Sequence, residues 1–550
     1  MFILPVQLGE IKNKRNFQIQ NRKNLSFSAT KSIPYDSVTF QGKIPTNIFD
    51  NYKPIIKKLD RYNLTIHNKA IAGKIKPSYS AKDFEELFNF ATKNGVYDLN
   101  INNKTHFITT SLINPKENPL MSKLVWVTDS CRYLPILKDR YPEAAVPLME
   151  NIGKFYKKQE RVLNKIINNP IEYELNHDWA PTAKNGIGHV FNPLNMKSHK
   201  WFPHTRLESP GLYLQTMGDL IFDGLNGASY GYKTAKDISQ NSIDAVTNIT
   251  AYLKNIIYPY AKSTGAWEER TFTMTPTSDV AIINEGFRKI INLMYSPTNN
   301  KEILKVRQRL LNSKNGKVFK DEKGLRDVLA WGEYRIKNDS MKEVPVNNER
   351  ILDGALSFIA QTEKFSNNTI SDVLEIFKRL NSLEKGTKTT PELVRANGTL
   401  RYSGDRYLNM TAGHKIDHEK KLHEKTEAQW FMTSDISKSY GTAAKRLLDK
   451  IETDKYASKR TLKLLQKALK KETEYINRAY ARITGENSYK ANGKPCPGFQ
   501  VPEAYQAVES SKGEIIFVPG THTPLGWAQA SLYDASKLML ENLKRIEKIQ

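Results

Sequence analysis

The stretch TSDVAIINEGFRKIINLMY, residues 277–295, shows the pattern that governs most of this chain. Its apolar residues recur three or four positions apart, at Val280, Ile283, Phe287, Ile290 and Met294. This spacing places them on one face of an α-helix. Thr277 or Ser278 is suited to be the N-cap, since a hydroxyl there accepts a backbone hydrogen bond. The stretch predicts a helix that packs on a core through one apolar stripe.

The same periodicity recurs from about residue 130 to the end of the sequence. Two further stripes are Val146, Met149, Ile152, Phe155, Val162 and Ile166, and Ile243, Val246, Ile249, Leu253 and Ile256. Similar patterns predict helices over 81–93, 323–336, 348–362, 368–383, 426–439, 441–453, 458–484 and 524–549. The last prediction starts at Thr523-Pro524, a cap residue followed by proline at the first helical position. The chain is therefore expected to be an all-α protein of successive helical hairpins.

The N-terminal part lacks this regularity. Residues 1–50 are polar, basic and aperiodic, which predicts a mostly unstructured arm with one short strand near Val38–Phe40. Residues 51–125 form a mixed lead-in segment, with short strands expected near 105–127. We assign residues 51–550 to one helical domain that includes this lead-in.

The chain has 550 residues and a formal net charge of +25, which permits binding to phosphates. The lysines, however, are spread along the whole sequence, and no module signature for DNA or RNA binding is present. We therefore read the charge as a basic surface rather than as a nucleic-acid site. A basic scaffold for nucleic acid is kept only as a third hypothesis.

Two cysteines, Cys131 and Cys496, imply no disulfide framework and favour a reducing, cytoplasmic location. We expect both thiols to be buried and unpaired rather than joined. The start, MFILPVQLGE, lacks the basic and long apolar regions of a signal peptide. No stretch is long and apolar enough to span a bilayer, so no membrane association is expected.

Several formal motif matches fail on context. Residues 227–231, GASYG, match the nucleophile elbow, but a helical pattern rather than a strand precedes Ser229. A zinc site at His414, His418 and His423 beside Asp417 is disfavoured by the surrounding lysines. We find neither a P-loop nor a dinucleotide fingerprint. We therefore predict no cofactor and no metal.

Five connecting stretches pair aromatic residues with carboxylates, arginines or amides. They are VWVTDS (125–130), HTRLESPGLYL (204–214), TGAWEE (264–269), LRYSGDRY (400–407) and VPEAY (501–505), the last followed by THTPLGWAQASLY (521–533). Aromatic faces stack on the C–H faces of a sugar ring, while charged groups bind its hydroxyls. Each stretch alone fits ordinary packing of an aromatic residue at a helix end. Together they indicate a sugar site.

In content, order and spacing, these stretches resemble glycoside hydrolase family 15, the glucoamylase-like enzymes. That family includes the barrel of the phosphorylase kinase α and β regulatory subunits. The resemblance covers roughly residues 105–550. It implies an (α/α)6 barrel, six inner helices ringed by six outer ones, with the site at one mouth and a mostly irregular N-terminal extension.

The resemblance assigns a role to each motif. It implies Glu268 as the general acid and Glu503 as the general base of an exo-acting, inverting hydrolase that removes glucose from α-glucans, oligosaccharides or α-glucosides. It also implies substrate-binding roles for Trp126, Asp129, Glu208, Trp267, Glu269, Arg401, Tyr402, Asp405, Tyr407 and Trp527. Pro524 and Gln529 match a further stretch of the regulatory subunits.

Glu268 needs a raised pKa to donate a proton, and we expect Trp267 and the charge of Glu269 to raise it. Without the resemblance, Glu268 and Glu269 read as an exposed turn with Arg270 as counter-ion.

Three places depart from the family pattern. Thr128 stands where the family has an arginine, and Ser122 and Lys123 stand where an aromatic residue is expected. Arg206 replaces the usual glutamine near Glu208. A threonine offers one hydroxyl in place of a forked donor. Arg132, His204 and Arg206 are candidates for the missing donor. These departures keep open a non-catalytic, sugar-binding or regulatory barrel like that of the kinase subunits.

Overall fold

A ring of six inner helices, all of which begin at the same end of the molecule, forms the centre of the fold. In this computed structural model, each inner helix contacts the next, and the sixth contacts the first, so the ring is closed. In chain order, inner helices 1 to 6 are Val127–Arg132 continued by Leu134–Arg140, Glu208–Leu225, Thr277–Tyr295, Leu356–Thr362, Thr433–Asp454 and Gly526–Ile549.

A second layer of helices surrounds this ring. The outer helices are Ala81–Lys93, Pro142–Lys158 continued by Glu160–Asn168, Gln240–Asn255, Glu322–Asn338, Thr369–Lys385 and Lys459–Ala481. Further helices are Lys69–Ala72, Ile171–Glu174 and Lys301–Asn312, with short 3₁₀ helices at Thr46–Phe49, Ala235–Asp237, Tyr258–Tyr260 and Gly316–Lys320. Each layer has six members, so the fold is the expected (α/α)6 barrel.

The structure describes residues 46–60, 62–102, 105–108, 123–174, 186–199, 202, 204–268, 271–339, 341–346, 350–405, 407 and 426–549. The strand predicted near Val38–Phe40 lies outside these residues. In the described parts of the chain, every helix is either too short or too polar to cross a lipid bilayer.

Burial separates the two layers. Inner helix 3 is buried around its circumference, including consecutive residues from Thr277 to Asn284, because it packs on neighbours in the ring and on the outer layer. The outer helix Lys459–Ala481 instead alternates buried and exposed positions over its first half. An amphipathic helix suits the outer layer, and a helix apolar on most sides suits the ring.

Small antiparallel sheets supplement the helices, and apart from the strands expected near 105–127 they were not predicted from the sequence. The largest orders its strands as Ile515–Pro519, Ala504–Glu509, Gln429–Trp430, Gly398–Thr399 and Val394–Arg395. A second joins Val125–Trp126, Val190–Asn192 and Lys197–Ser198. Two hairpins pair Ile55–Leu59 with Tyr62–Ile66, and Ser488–Tyr489 with Pro495–Cys496.

Several helix predictions are confirmed and others are wrong at their ends. The helix over 81–93 matches, and those over 323–336, 368–383 and 458–484 agree within three residues. The predicted strands near 105–127 reduce, among described residues, to Val125–Trp126 and an isolated bridge between Ile101 and Ile108.

The region 426–453 is one helix rather than two, and it begins late. Gln429 and Trp430 form a strand that pairs with Tyr505 and Ala504, so the helix starts at Thr433. It then runs without interruption through Gly441, whose carbonyl accepts a hydrogen bond from Asn542 of inner helix 6.

Three other helix starts also differ from prediction. Inner helix 3 is capped by Pro276, because the Thr277 hydroxyl instead donates to the carbonyl of Lys342. The predicted helix over 348–362 begins only at Leu356, since Val344 and Arg350 form a bridge upstream. Inner helix 6 begins at Gly526 rather than at Pro524.

Candidate active site

The first turns of the inner helices supply most side chains at the mouth of the barrel. Asp129, Glu208 and Asp435 are acidic residues in the first turns of inner helices 1, 2 and 5. Trp527 is the second residue of inner helix 6. Backbone N–H groups at a helix start favour negative charge, so the converging helix ends explain why this mouth tolerates several buried carboxyls.

Glu268 lies in the loop that leads to inner helix 3, with a backbone φ of 56°. This left-handed region is uncommon for residues other than glycine, and such conformations concentrate at functional sites. Its side chain is buried. Oε1 of Glu268 lies 2.6 Å from Nε2 of His189, and Nη1 of Arg206 donates a hydrogen bond to the same oxygen.

These contacts set the charge of Glu268. Burial raises its pKa, but the guanidinium of Arg206 and then His189 lower it more, to about 2. The expectation of a raised pKa is therefore wrong for this arrangement. The reason is that two basic side chains, both distant in sequence, meet on one carboxylate oxygen.

Arg206 continues into a chain of buried ion pairs. Its Nε and Nη2 donate to Oε2 of Glu208 at 3.3 and 3.0 Å, and Nη2 of Arg132 donates to the other Glu208 oxygen. Burial raises the pKa of Glu208, but Arg132 and Arg206 lower it further than that, so the net shift is downward. Glu208 thus stays ionised and connects the two arginines.

Thr128, which stands where the family pattern has an arginine, does not donate to the mouth of the barrel. It is fully buried, and its hydroxyl lies 2.6 Å from that of Ser209 on inner helix 2. This contact joins two inner helices instead of facing the mouth. Of the candidate donors, Arg132 donates to Glu208 and Arg206 donates to Glu268. In the part of the chain that the structure describes, no hydrogen bond joins His204 to either of these carboxylates.

Asp129 lies within electrostatic reach of both predicted catalytic residues. Burial raises its pKa to about 7; the charges of Glu268 and Glu503 also raise it, and Arg206 and Arg132 oppose the shift. No described residue forms a hydrogen bond with its carboxyl group. The fold therefore brings together three carboxyls from segments far apart in the sequence.

Glu503 directly precedes the strand Ala504–Glu509. Its Oε2 lies 2.7 Å from Nδ1 of His522, and its backbone N–H donates to the carbonyl of His522 at 3.1 Å. Arg482 donates to the carbonyl oxygens of Pro502 and Glu503. The side chain is half-buried, with its carboxyl in contact with His522, and the backbone of Glu503 is held by His522 and Arg482.

Tryptophans form a wall beside these carboxyls. The rings of Trp267 and Trp527 stack with centroids 6.3 Å apart, and Trp430 lies 6.2 Å from Trp267. Tyr407 stacks on Trp430 at 5.8 Å. Nε1 of Trp267 donates to Asp353 at 2.8 Å, which fixes the ring orientation.

Arg401 is held by a fork of two hydrogen bonds to Asp405, each 2.7 Å long. Its guanidinium lies over Trp430 and Tyr407. Asp405 is fully buried, so it acts on the site through Arg401. Tyr402 stacks under the guanidinium of Arg350, 3.5 Å from its ring centroid.

Trp126 is buried and packs edge-on against Phe202, with centroids 5.2 Å apart. Glu269 and Arg270 lie outside the described residues, as do Asp417 and the three histidines near it. Ser229 lies in the connection between two helices, as expected. Cys131 and Cys496 are buried free thiols, as expected, and burial raises the pKa of Cys131 to about 12.

We did not select His189, Asp353, Asp435 or His522 as site residues from the sequence. His189 lies outside the stretches singled out in the sequence, and His522 lies in the stretch 521–533 but was not selected there. Each of these histidines lies against a predicted catalytic carboxyl. Asp435 had a usable signal, since Thr-Ser-Asp begins inner helix 5 at 433–435 and inner helix 3 at 277–279. The repeat places an aspartate on the third residue of both helices.

No family model matches this sequence, and no curated protein matches it either. Solved structures do match. The glucoamylase of Saccharomycopsis fibuligera aligns with a TM-score of 0.51 at 12% identity, over 84% of this chain and 97% of that one. The protein has a glucoamylase-like fold.

Two other solved structures align less closely. The Hormoconis resinae glucoamylase aligns with a TM-score of 0.48 at 11% identity, over 84% of this chain and 73% of that chain. A glycosidase variant in complex with glucose aligns with a TM-score of 0.45 at 11% identity, over 84% of this chain and 97% of that chain. At these identities the similarity concerns the fold alone.

Proposed function

We propose that the protein is an exo-acting, inverting glycoside hydrolase that removes glucose from α-glucans or α-glucosides. The observation that supports this proposal is that Asp129 lies close enough to both Glu268 and Glu503 for their charges to raise its pKa. The tryptophan wall beside them offers the faces on which a sugar stacks.

Glu503 is the general base in this proposal. His522 contacts Oε2, so Oε1 is available to take a proton from the attacking water. The water then attacks the anomeric carbon from the face opposite the leaving group. Inversion requires the two carboxyls to lie about 6.5–9.5 Å apart, so that this water fits between the base and the sugar.

Glu268 is the general acid and must carry a proton when the glycosidic bond breaks. Without sugar, Arg206 and His189 hold it ionised, with a pKa of about 2. The bound substrate must therefore loosen at least one of these contacts so that burial can raise the pKa again. Catalytic hydrogen bonds often reach working geometry only in the substrate complex.

A second function is favoured by two observations. A carboxyl held ionised by Arg206 and His189 is a poor proton donor, and Thr128 is buried against Ser209. Both fit a barrel that binds sugar without cleaving it, as in the regulatory subunits of phosphorylase kinase that the sequence resembles.

The test is incubation with a panel of α-linked glucosides, with release of glucose as the readout. We expect release by the wild type and its loss in Glu268→Gln and in Glu503→Gln. Glu322→Gln is the matched control, because Glu322 is an exposed residue on an outer helix. Saturable sugar binding without glucose release supports the second function and contradicts the first.

A further inference from the structure

Arg132 reaches across the axis of the barrel. It extends from inner helix 1, pairs with Glu208 on inner helix 2, and lies over the rings of Phe358 and Trp527 at 4.7 and 4.2 Å. Phe358 belongs to inner helix 4, which is opposite inner helix 1 in the ring. A guanidinium in contact with inner helices 2, 4 and 6 must lie near the axis of the ring.

Arg132 and Arg206 differ in how many of their N–H groups already donate to an acceptor. Arg206 uses Nε, Nη1 and Nη2 on Glu208 and Glu268, and its side chain is 3% exposed. Arg132 uses only Nη2, and its side chain is 13% exposed. Among the described residues, none accepts a hydrogen bond from Nε of Arg132. Arg132 therefore has N–H donors without an acceptor among the described residues, whereas Nε, Nη1 and Nη2 of Arg206 all donate to glutamates.

Acceptors lie close to these donors. Asp129 is three residues before Arg132 on the same short helix, and residues at that spacing share a face. Asp435 is 3% exposed; its Oδ1 accepts hydrogen bonds from Gln361 and Ser531, and its Oδ2 has no partner among the described residues. The guanidinium of Arg132 acts on the charge of both aspartates.

We propose that Arg132 is the residue that determines end-group specificity, by donating a hydrogen bond to a hydroxyl of the sugar unit that enters deepest. This inference rests on the proposed function, because it requires a sugar in the mouth. A hydroxyl both accepts and donates, so it satisfies the Arg132 donors and an aspartate acceptor together. A carboxylate would satisfy Arg132 but would lie beside Asp129 and Asp435. Arg132 thus selects a neutral sugar.

Binding of three ligands to the full chain carrying Glu503→Gln tests this role without cleavage. The ligands are methyl α-maltoside and its two analogues deoxygenated at position 4 or position 6 of the terminal unit. With Arg132 intact, we expect at least one analogue to bind about tenfold more weakly, since a hydrogen bond to a charged group is lost. In Arg132→Met, methyl α-maltoside should bind more weakly by a similar factor, and the difference in affinity between the three ligands should disappear.

Two further variants separate specificity from folding. Arg132→Lys keeps a cation beside Glu208 and should retain part of the discrimination. Lys138→Met removes a cation from the same inner helix, where Lys138 pairs with Asp219 and Asp223, and should change neither affinity nor discrimination. The inference is overturned if Arg132→Met and Arg132→Lys discriminate between the ligands as the parent does.

The outcome also separates the inference from the proposed function. Binding that depends on Arg132, in a protein that releases no glucose, sustains the role of Arg132 and contradicts hydrolysis. Cleavage by the wild type with discrimination unaffected by Arg132→Met contradicts only the role of Arg132. Failure of all three ligands to bind contradicts both.

Discussion

Nε2 of His189 lies 2.6 Å from Oε1 of Glu268, the oxygen to which Arg206 also donates. The two basic residues come from different segments, and neither is part of the Trp-Glu-Glu stretch that drew attention to Glu268. Because both act on one oxygen, the protonation of Glu268 depends on its neighbours more than on its own loop.

Removing these neighbours should raise the pKa of Glu268. Burial alone pushes this pKa upward, and Arg206 and then His189 bring it down to about 2. We expect higher values in His189→Leu and in Arg206→Met, with the larger rise in Arg206→Met. Carboxyl carbon NMR titration, with the signal assigned by its loss in Glu268→Gln, measures the change. A pKa that stays near 2 in both variants would rule out this explanation.

Glu472 should make stability depend on pH far from the site. Burial among inner helices 5 and 6 and an outer helix raises its pKa from 4.5 to about 8, with Asn542 as hydrogen-bond partner. Folding therefore favours the protonated form. The stabilisation that comes from protonated Glu472 is complete below pH 4.5 and is lost as pH rises towards 8. Over this range the free energy of unfolding falls by about 1.4 kcal/mol per pH unit.

Glu472→Gln should remove this dependence and raise the free energy of unfolding at pH 7.5 by roughly 4 kcal/mol. Urea unfolding at pH 5 and pH 7.5 measures both effects. Glu541→Gln is the control, since Glu541 is exposed and pairs with Lys445. The prediction is wrong if Glu472→Gln and Glu541→Gln show the same pH dependence as the wild type.

Asp405→Asn should destabilise the protein strongly. Both residues of the Arg401–Asp405 pair are buried, and the substitution removes the carboxylate charge to which Arg401 donates two hydrogen bonds. The expected loss is about 3–5 kcal/mol in the free energy of unfolding. Glu322→Gln breaks the exposed pair with Arg326 and should cost about 0.5 kcal/mol or less. Similar losses of stability in Asp405→Asn and Glu322→Gln would contradict the assignment of Arg401 and Asp405 as a buried ion pair.

His522→Phe should lower kcat with little change in KM. Nδ1 of His522 lies 2.7 Å from Oε2 of Glu503 and so orients the base rather than the sugar. Loss of a hydrogen bond to a carboxylate corresponds to about a tenfold fall or more. His522→Gln, which retains a donor, should recover part of the rate. An unchanged kcat in His522→Phe would exclude the positioning role.

The periodic segments were predictable from sequence because their information is local. The helix over 81–93 agrees at both ends, since Ser80 caps it and its apolar stripe is continuous. The segment near 430 was predicted as helix because its pairing partner, Ala504–Tyr505, is about 75 residues away in the chain. A strand of two residues has no periodicity of its own, so only the tertiary pairing defines it.

The site was predictable in its carboxyls and aromatics but not in their charge states. Glu208, Glu268 and Glu503 were selected as motif residues, and their placement at one mouth follows from the barrel. The shift of the Glu268 pKa arises from Arg206 and His189, 62 and 79 residues away in sequence. Such long-range contacts leave no spacing signal in a single sequence.

The anomeric form of the released glucose tests the proposed mechanism most directly. Proton NMR during the first minutes of cleavage of an α-glucoside distinguishes the two anomers before they equilibrate. The proposed inverting mechanism predicts β-glucose, because water attacks from the face opposite the leaving group. Release of α-glucose, or the absence of any release at saturating substrate, would contradict the mechanism.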